Sequence, residues 1–183
     1  MHMPQTIRRK DSKCMQLDTT TWLKTIPRDQ GYYFAGFVDG EGSFNVSLCR
    51  RDDMTRGWKV TLTFNVSQRE SYILAKLKHL LGCGRLQYRY DGVCYFVVSN
   101  PRSIIERVIP FFETFGFLSQ TKQRNFRIFT QITKIVADGR HLRSDGFAEV
   151  VRLREKLNEG HGRKRKYTMR DVFPIRKSSE TIR

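Results

Sequence analysis

The residues most suited to chemistry stand together in Asp39-Gly40-Glu41-Gly42, a carboxylate between two glycines at the point where the sequence pattern changes. Before it, Gly31 to Gly40 reads as a helix in which Gly36 and Gly40 share one face, leaving room for a second helix to approach backbone to backbone. Gly40 and Gly42 are expected to end that helix and turn the chain. From Ser43 the residues alternate, which places Glu41 at a helix-to-strand junction. A carboxylate there is a hard oxygen ligand of the kind that suits Mg2+. One is too few for a hard divalent cation, so a twofold dimer that pairs two such residues is the natural completion. Asp39, two residues earlier, is expected to point away from Glu41 and to serve structure at the subunit contact.

The elements that must hold this junction follow from periodicity. Residues 1–19 carry Arg8, Arg9, Lys10 and Lys13 without a pattern and read as a flexible basic arm; the domain spans 20–159; residues 160–183, with Arg163-Lys164-Arg165-Lys166, read as a mobile basic tail. Thr21 to Pro27 is a short apolar entry, and Asp29 is the expected N-cap of the first helix. Strands are predicted over Ser43–Cys49 and Trp58–Ser67, then a helix over Tyr72–Leu81 stopped by Gly82. A second hairpin, Arg85–Tyr90 and Val93–Ser99, turns at Asp91-Gly92. Three helical patterns close the domain: Pro101–Phe115, which Pro110 should kink, Lys122–Val136 and Asp145–Asn158.

The alternation also assigns the two faces of the sheet. Phe44, Val46, Leu48, Val60, Leu62, Phe64, Val66, Leu86, Phe96 and Val98 must face the helices. Ser43, Asn45, Ser47, Lys59, Thr61, Thr63, Asn65, Arg85, Gln87, Arg89 and Tyr95 then face outward, with no acidic residue among them. Carboxylates would repel phosphate, whereas Asn, Gln, Ser, Thr and Arg pair with base edges in the major groove, which admits a β-ribbon. The whole chain agrees: 34 Lys and Arg stand against 18 Asp and Glu among 183 residues, net +16, with a pI near 10.1. A polyanion is the expected partner, nucleic acid rather than membrane, because neither an amphipathic basic helix nor an apolar run of about 18 residues appears. Cys14, Cys49, Cys83 and Cys94 have no paired short spacing and read as reduced thiols, and His2, His79, His141 and His161 are too scattered for a zinc site. The chain is read as intracellular, in a bacterial cytoplasm or an organelle, without a choice between them.

Phe34-Ala35-Gly36-Phe37-Val38-Asp39-Gly40-Glu41-Gly42-Ser43 resembles the motif of the LAGLIDADG homing endonucleases, site-specific DNA endonucleases usually encoded in mobile introns. One copy is present, and in this family single-motif chains look like homodimers. The resemblance runs in element order and spacing from about Tyr32 to Leu157 and leaves both tails uncovered. It implies an α+β fold of αββαββα order with C-terminal helices and an antiparallel sheet forming a DNA-binding saddle. Outward positions over Ser43–Arg51, Lys59–Asn65, Arg85–Arg89 and Tyr95–Val97 would contact bases, which adds Arg51 and Val97 to the candidates. Glu41 from each subunit, with the Gly40 carbonyl, would hold Mg2+, or a related ion such as Mn2+ or Ca2+, at the bottom of the saddle. Gln68 matches a position that places solvent near the metal. Lys122 resembles the basic residue that polarises water or stabilises transition-state charge, with Gln120 and Arg69 as alternatives for that role. The implied activity is a Mg2+-dependent double-strand cut in a long, roughly palindromic duplex. The rival is an RNA-binding maturase that folds its host intron without cutting; a DNA-binding regulator with a dead site is disfavoured by the retained Glu41.

Overall fold

Alternating apolar residues become a four-stranded antiparallel sheet whose inner face is sealed by helices. The computed structural model describes residues 21–54, 57–158 and 165–173, so the basic arm expected over 1–19 lies outside it. After a 3-10 turn at Thr21–Thr25 come α1 (Arg28–Glu41), β1 (Gly42–Arg50), β2 (Trp58–Gln68), α2 (Ser71–Leu81), β3 (Arg85–Tyr88) and β4 (Cys94–Val98). The helices α3 (Pro101–Ser103), α4 (Ile109–Phe115), α5 (Gln120–Ala137), α6 (Ser144–Lys156) and α7 (Met169–Val172) complete it. The strand order is β1-β2-β4-β3, so the α+β reading and the αββαββα order hold. No described helix is long and apolar enough to cross a membrane.

The predicted inward set is the core. Phe44, Leu62, Phe64, Val66, Phe96 and Val98 are at most 2% exposed, and Val60 and Leu86 pack against them while partly open. Phe44, the second inward residue of β1, meets Phe64, Phe112, Phe117, Phe126 and Phe129 with ring centroids 5.1 to 6.0 Å apart. Burial of one such ring contributes roughly 1.5–3 kcal/mol, and the edge and offset pairs add orientation. The start of β1, just past Glu41, is therefore firmly seated in the core.

Several helix ends differ from the sequence reading. Asp29 does not cap α1: Pro27 occupies that place, with the fixed φ of proline, and its carbonyl accepts the Gly31 N–H at 3.0 Å. Nor does Gly40 stop the helix. α1 runs on through Glu41 and is capped by Gly42, whose N–H donates to the Val38 carbonyl and whose backbone is extended, φ −82° and ψ 153°. What Gly42 supplies is space, since a Cβ there would stand 2.4 Å from Val38 Cγ1 and 2.7 Å from the Val38 oxygen. Gly82, by contrast, ends α2 in the left-handed region at φ 64°, as a C-terminal glycine should. The kink expected at Pro110 takes the form of a π turn over Ile104–Val108, in which the Ile109 N–H reaches back to the Ile104 carbonyl. Widening the coil there accommodates a ring that would otherwise strike the preceding turn. The β3–β4 strands are shorter than predicted, because residues 89–93 form the loop, with Gly92 at φ 77° and the Val93 N–H bonded to Asp91 Oδ1 at 3.1 Å.

Of the mobile tail expected over 160–183, residues 160–164 and 174–183 lie outside the described residues, and the described part differs from the expectation. Within it, residues 165–173 fold back on the domain: α7 carries a capping box between Thr168 and Asp171, and Val172 is 9% exposed. Basic composition concealed the apolar spacing of Tyr167, Met169, Val172 and Phe173, which is too short to show a period.

β1 is an edge strand, and side chains from α5, from α6 and from the turn just past α6 occupy its carbonyls at every second residue. Lys122 Nζ donates to Gly42 O, Asn158 Nδ2 to Phe44 O at 2.8 Å, and Arg154 Nε to Val46 O at 2.9 Å. Asn158 sits at φ 53°, the sole positive-φ residue other than glycine among those described, and its N–H is held by Asn125 Oδ1 at 3.0 Å.

Candidate active site and nucleic-acid face

Glu41 is the last residue of α1 and is exposed. The C-terminal end of a helix presents unpaired carbonyls and the negative pole of the helix dipole, so an acid there is at the unfavourable end. α1 has no basic residue in its last turn to offset it. A carboxylate and the carbonyls of a helix end are hard oxygen donors. Among the described residues no group of three or more His, Cys, Asp and Glu gathers about one point, so this chain offers Glu41 and the Gly40 carbonyl as its share of such a site.

The cation that does approach comes from α5. Asp39 accepts hydrogen bonds from the Leu118 N–H at 3.0 Å, the Ser119 N–H at 2.9 Å and the Ser119 hydroxyl at 2.5 Å. Ser119 in turn caps α5 by accepting from the Lys122 N–H at 3.3 Å. Asp39 is structural, as expected, but its bonds are made within the subunit and not at a subunit contact: its carboxylate is an intramolecular clamp between the end of α1 and the start of α5. With its helix fixed in this way, the half-buried Lys122 sends Nζ to the Gly42 carbonyl. Burial lowers the Lys122 pKa, and the charges of Asp39 and Glu41 pull it back up in part. Lys122 thus lies in the electrostatic reach of Glu41, while Gln120 stands exposed at the first position of α5.

The clamp predicts a pH signature. Burial acts to raise the Asp39 pKa, but the Ser119 hydroxyl and N–H, the Leu118 N–H and Lys122 together outweigh it, and the net shift is downward from 3.8. A depressed carboxylate stabilises the fold above its unfolded pKa and loses that contribution as pH falls through the folded value. In urea titrations Asp39→Asn should therefore be less stable than wild type at pH 7, with the gap closing below about pH 3.8. A gap that stays constant down to pH 2.5 would show that the charge on Asp39 is not what the clamp uses.

Gln68 is the last residue of β2, two past Val66, the pairing partner of Gly42, so it lies at the Glu41 end of the sheet. Its Oε1 accepts the Arg69 N–H at 2.9 Å, and Arg69 itself is exposed.

The outward candidates fall into register on one face. Ser43 pairs with Asn65, Asn65 with Val97 and Val97 with Arg85, a row across all four strands. Asn45 faces Thr63, Ser47 faces Thr61, and Tyr95 faces Gln87. The same rows place Cys49, inside the outward span Ser43–Arg51, opposite Lys59, and add one residue absent from the sequence reading, Ser67 opposite Tyr95; Ser67 obeys the alternation and could have been found from it. Local bonds order the face: Asn45 Nδ2 donates to Ser43 Oγ at 3.0 Å and Arg89 Nη1 to the Tyr95 hydroxyl at 3.2 Å. Two candidates lie off the strands. Arg89 follows β3 in the loop, and Arg51 follows β1, where its guanidinium forks onto Asp53 with both bonds at 3.0 Å.

Residues 34–133 match the family model described as LAGLIDADG endonuclease. The chain belongs to that family. Among curated relatives, the probable intron-encoded endonuclease 2 of Neurospora crassa is 28% identical over 130 residues, which is 69% of this chain and 27% of that protein. The chain thus spans about a quarter of that relative's length. Among solved structures, the archaeal intron-encoded homing endonuclease I-Vdi141I, complexed with DNA, is 28% identical with a TM-score of 0.74, over 79% of this chain and 92% of that one. The meganuclease I-SmaMI, bound to uncleaveable DNA, is 28% identical with a TM-score of 0.68, over 72% of this chain and 46% of that one. One LAGLIDADG unit of this kind therefore accounts for nearly all of the first chain and about half of the second.

Proposed function

We propose that this chain is a site-specific homing endonuclease, intron-encoded, which acts as a homodimer and makes a Mg2+-dependent double-strand cut in a long, near-palindromic duplex. The observation that carries the reading is Glu41 at the unfavourable end of α1, beside the half-buried Lys122, at the inner end of a polar sheet face without acids. The outward rows suit duplex DNA for a length reason as well. Nine residues of β1 extend about 30 Å at 3.3–3.4 Å each, about nine base pairs at 3.4 Å, and two copies would cover roughly twice that.

The donor set suits a hard divalent ion, held by Glu41 and the Gly40 carbonyl of each subunit. When bound, such an ion supplies Lewis-acid stabilisation and an activated water for phosphodiester hydrolysis. The chain's own groups have separable tasks. Asp39 and Ser119 fix the start of α5, and Lys122, drawn toward Glu41 by charge, stabilises negative charge developing on the phosphoryl oxygens. Gln68, at the same sheet end, orients solvent through its amide. The outward rows hold the duplex so that the scissile linkage lies over Glu41. Lys122→Met should lower the single-turnover cleavage rate by about 10²–10³-fold with duplex affinity nearly unchanged; an equal loss of affinity would make Lys122 a binding residue instead.

The test of function is to incubate the protein and Mg2+ with intronless and intron-containing versions of its host locus. A single double-strand break in the intronless DNA alone is the expected result. No cut in either, with tight retention of the intron transcript on filters, would overturn the reading in favour of a maturase.

A further inference from the structure

The β1–β2 hairpin outruns the rest of its sheet. β4 pairs with β2 only over Phe64–Gln68, whereas β1 follows β2 out to the Arg50–Trp58 pair. A bare two-stranded ribbon is marginal in water, so the distal half needs support of another kind. That support is a second apolar cluster of Leu48, Phe147, Val151 and Val172, with Trp58, Val60 and Met169 packed against it.

Part of it comes from residues 165–173, the rest of the cover from Phe147 and Val151 of α6. Tyr167 meets the Trp58 indole edge-on with centroids 4.9 Å apart, and Val172 and Met169 belong to α7. Arg154, 5% exposed, joins the segment to the ribbon by donating from Nε to Val46 O and from Nη1 to Tyr167 O, both at 2.9 Å. Arg165 fastens the segment to the end of α6, donating to the Arg154 carbonyl at 2.8 Å and to that of Leu157.

On the supported ribbon stand Ser47, Cys49, Lys59 and Thr61. Cys49 is six residues beyond Ser43, about 20 Å along the strand, or about six base-pair steps further from the Glu41 end. We propose that the segment 165–173, acting through Tyr167 against Trp58 with Arg154 behind it, is a specificity-determining positioning element that sets the depth at which the distal ribbon reads the outer base pairs of each half-site. The inner base pairs, read from Ser43, Asn65, Arg85 and Gln87, are held by the four-stranded part and the main core. This inference rests on the DNA-binding reading above.

The test is selection from a randomised duplex library by the full-length protein, scored position by position, with wild type, Tyr167→Ala and Tyr167→Phe compared. Tyr167→Ala should keep the wild-type preference at inner positions and lose it roughly tenfold at outer ones, the scale of a lost base contact. Tyr167→Phe, which keeps the ring, should behave as wild type. A uniform loss across all positions, or no loss, overturns the inference, since a merely structural role would not distinguish inner from outer bases. If Tyr167→Ala fails to fold by thermal melting, Met169→Ala is read by the same criteria. A wild-type protein that enriches no duplex sequence sinks the DNA reading itself, and this inference with it.

Discussion

Glu41→Gln should abolish cutting and leave the protein at least as stable as before. The side chain keeps its size and is exposed, so no packing is lost, and an acid is removed from the negative pole of α1. That relief contributes about 0.3–1 kcal/mol, reduced by the attraction to Lys122 that is given up. Cleavage, on the other hand, loses a charged metal ligand and with it several kcal/mol of transition-state stabilisation, a rate loss of about 10³-fold or more. Affinity for the target duplex should change little, because the outward rows of the sheet are untouched. The measurements are single-turnover cleavage, duplex binding by fluorescence anisotropy, and thermal melting. Cleavage within tenfold of wild type would remove Glu41 from the proposed metal site.

Gly36→Leu should have the second-largest effect, and it separates assembly from folding. Gly36 is exposed on α1, with open space around the position of a Cβ, as at Gly40. Tyr32 and Tyr33 on the same helix are 50% and 58% exposed. Leucine therefore meets nothing within the subunit, and by helix propensity it stabilises α1 by just under about 1 kcal/mol. Between two helices in backbone contact the same side chain has nowhere to go. The expected outcome is a well-folded monomer by sedimentation, with double-strand cleavage lost. A dimer with full cleavage would place the subunit contact elsewhere.

The sequence is most legible where a period-2 pattern governs. Once Phe44, Phe64 and Phe96 must face inward, the positions of Ser43, Asn65 and Tyr95 follow, and the register carries them into common rows. Helix termini were less legible, because whether Gly40 or Gly42 stops α1 depends on how closely β1 must pass Val38. The Asp39–Ser119 clamp and the reach of Lys122 to Gly42 each span about eighty residues, and no local pattern encodes them. They need the core that brings α5 beside α1. Arg51, a candidate base contact only through the resemblance, stands just past β1 with its guanidinium on Asp53 two residues on, a pairing that the resemblance does not carry.

The occupied carbonyls of β1 have a consequence for how copies of this protein can meet. A free edge strand is a template for pairing with another chain, the usual route to sheet-to-sheet aggregation. With Lys122, Asn158 and Arg154 spending donors on Gly42, Phe44 and Val46, that route is closed along the half of β1 nearest Glu41. Strand addition there would first have to evict two cations and an amide, so this border of the sheet resists polymerisation.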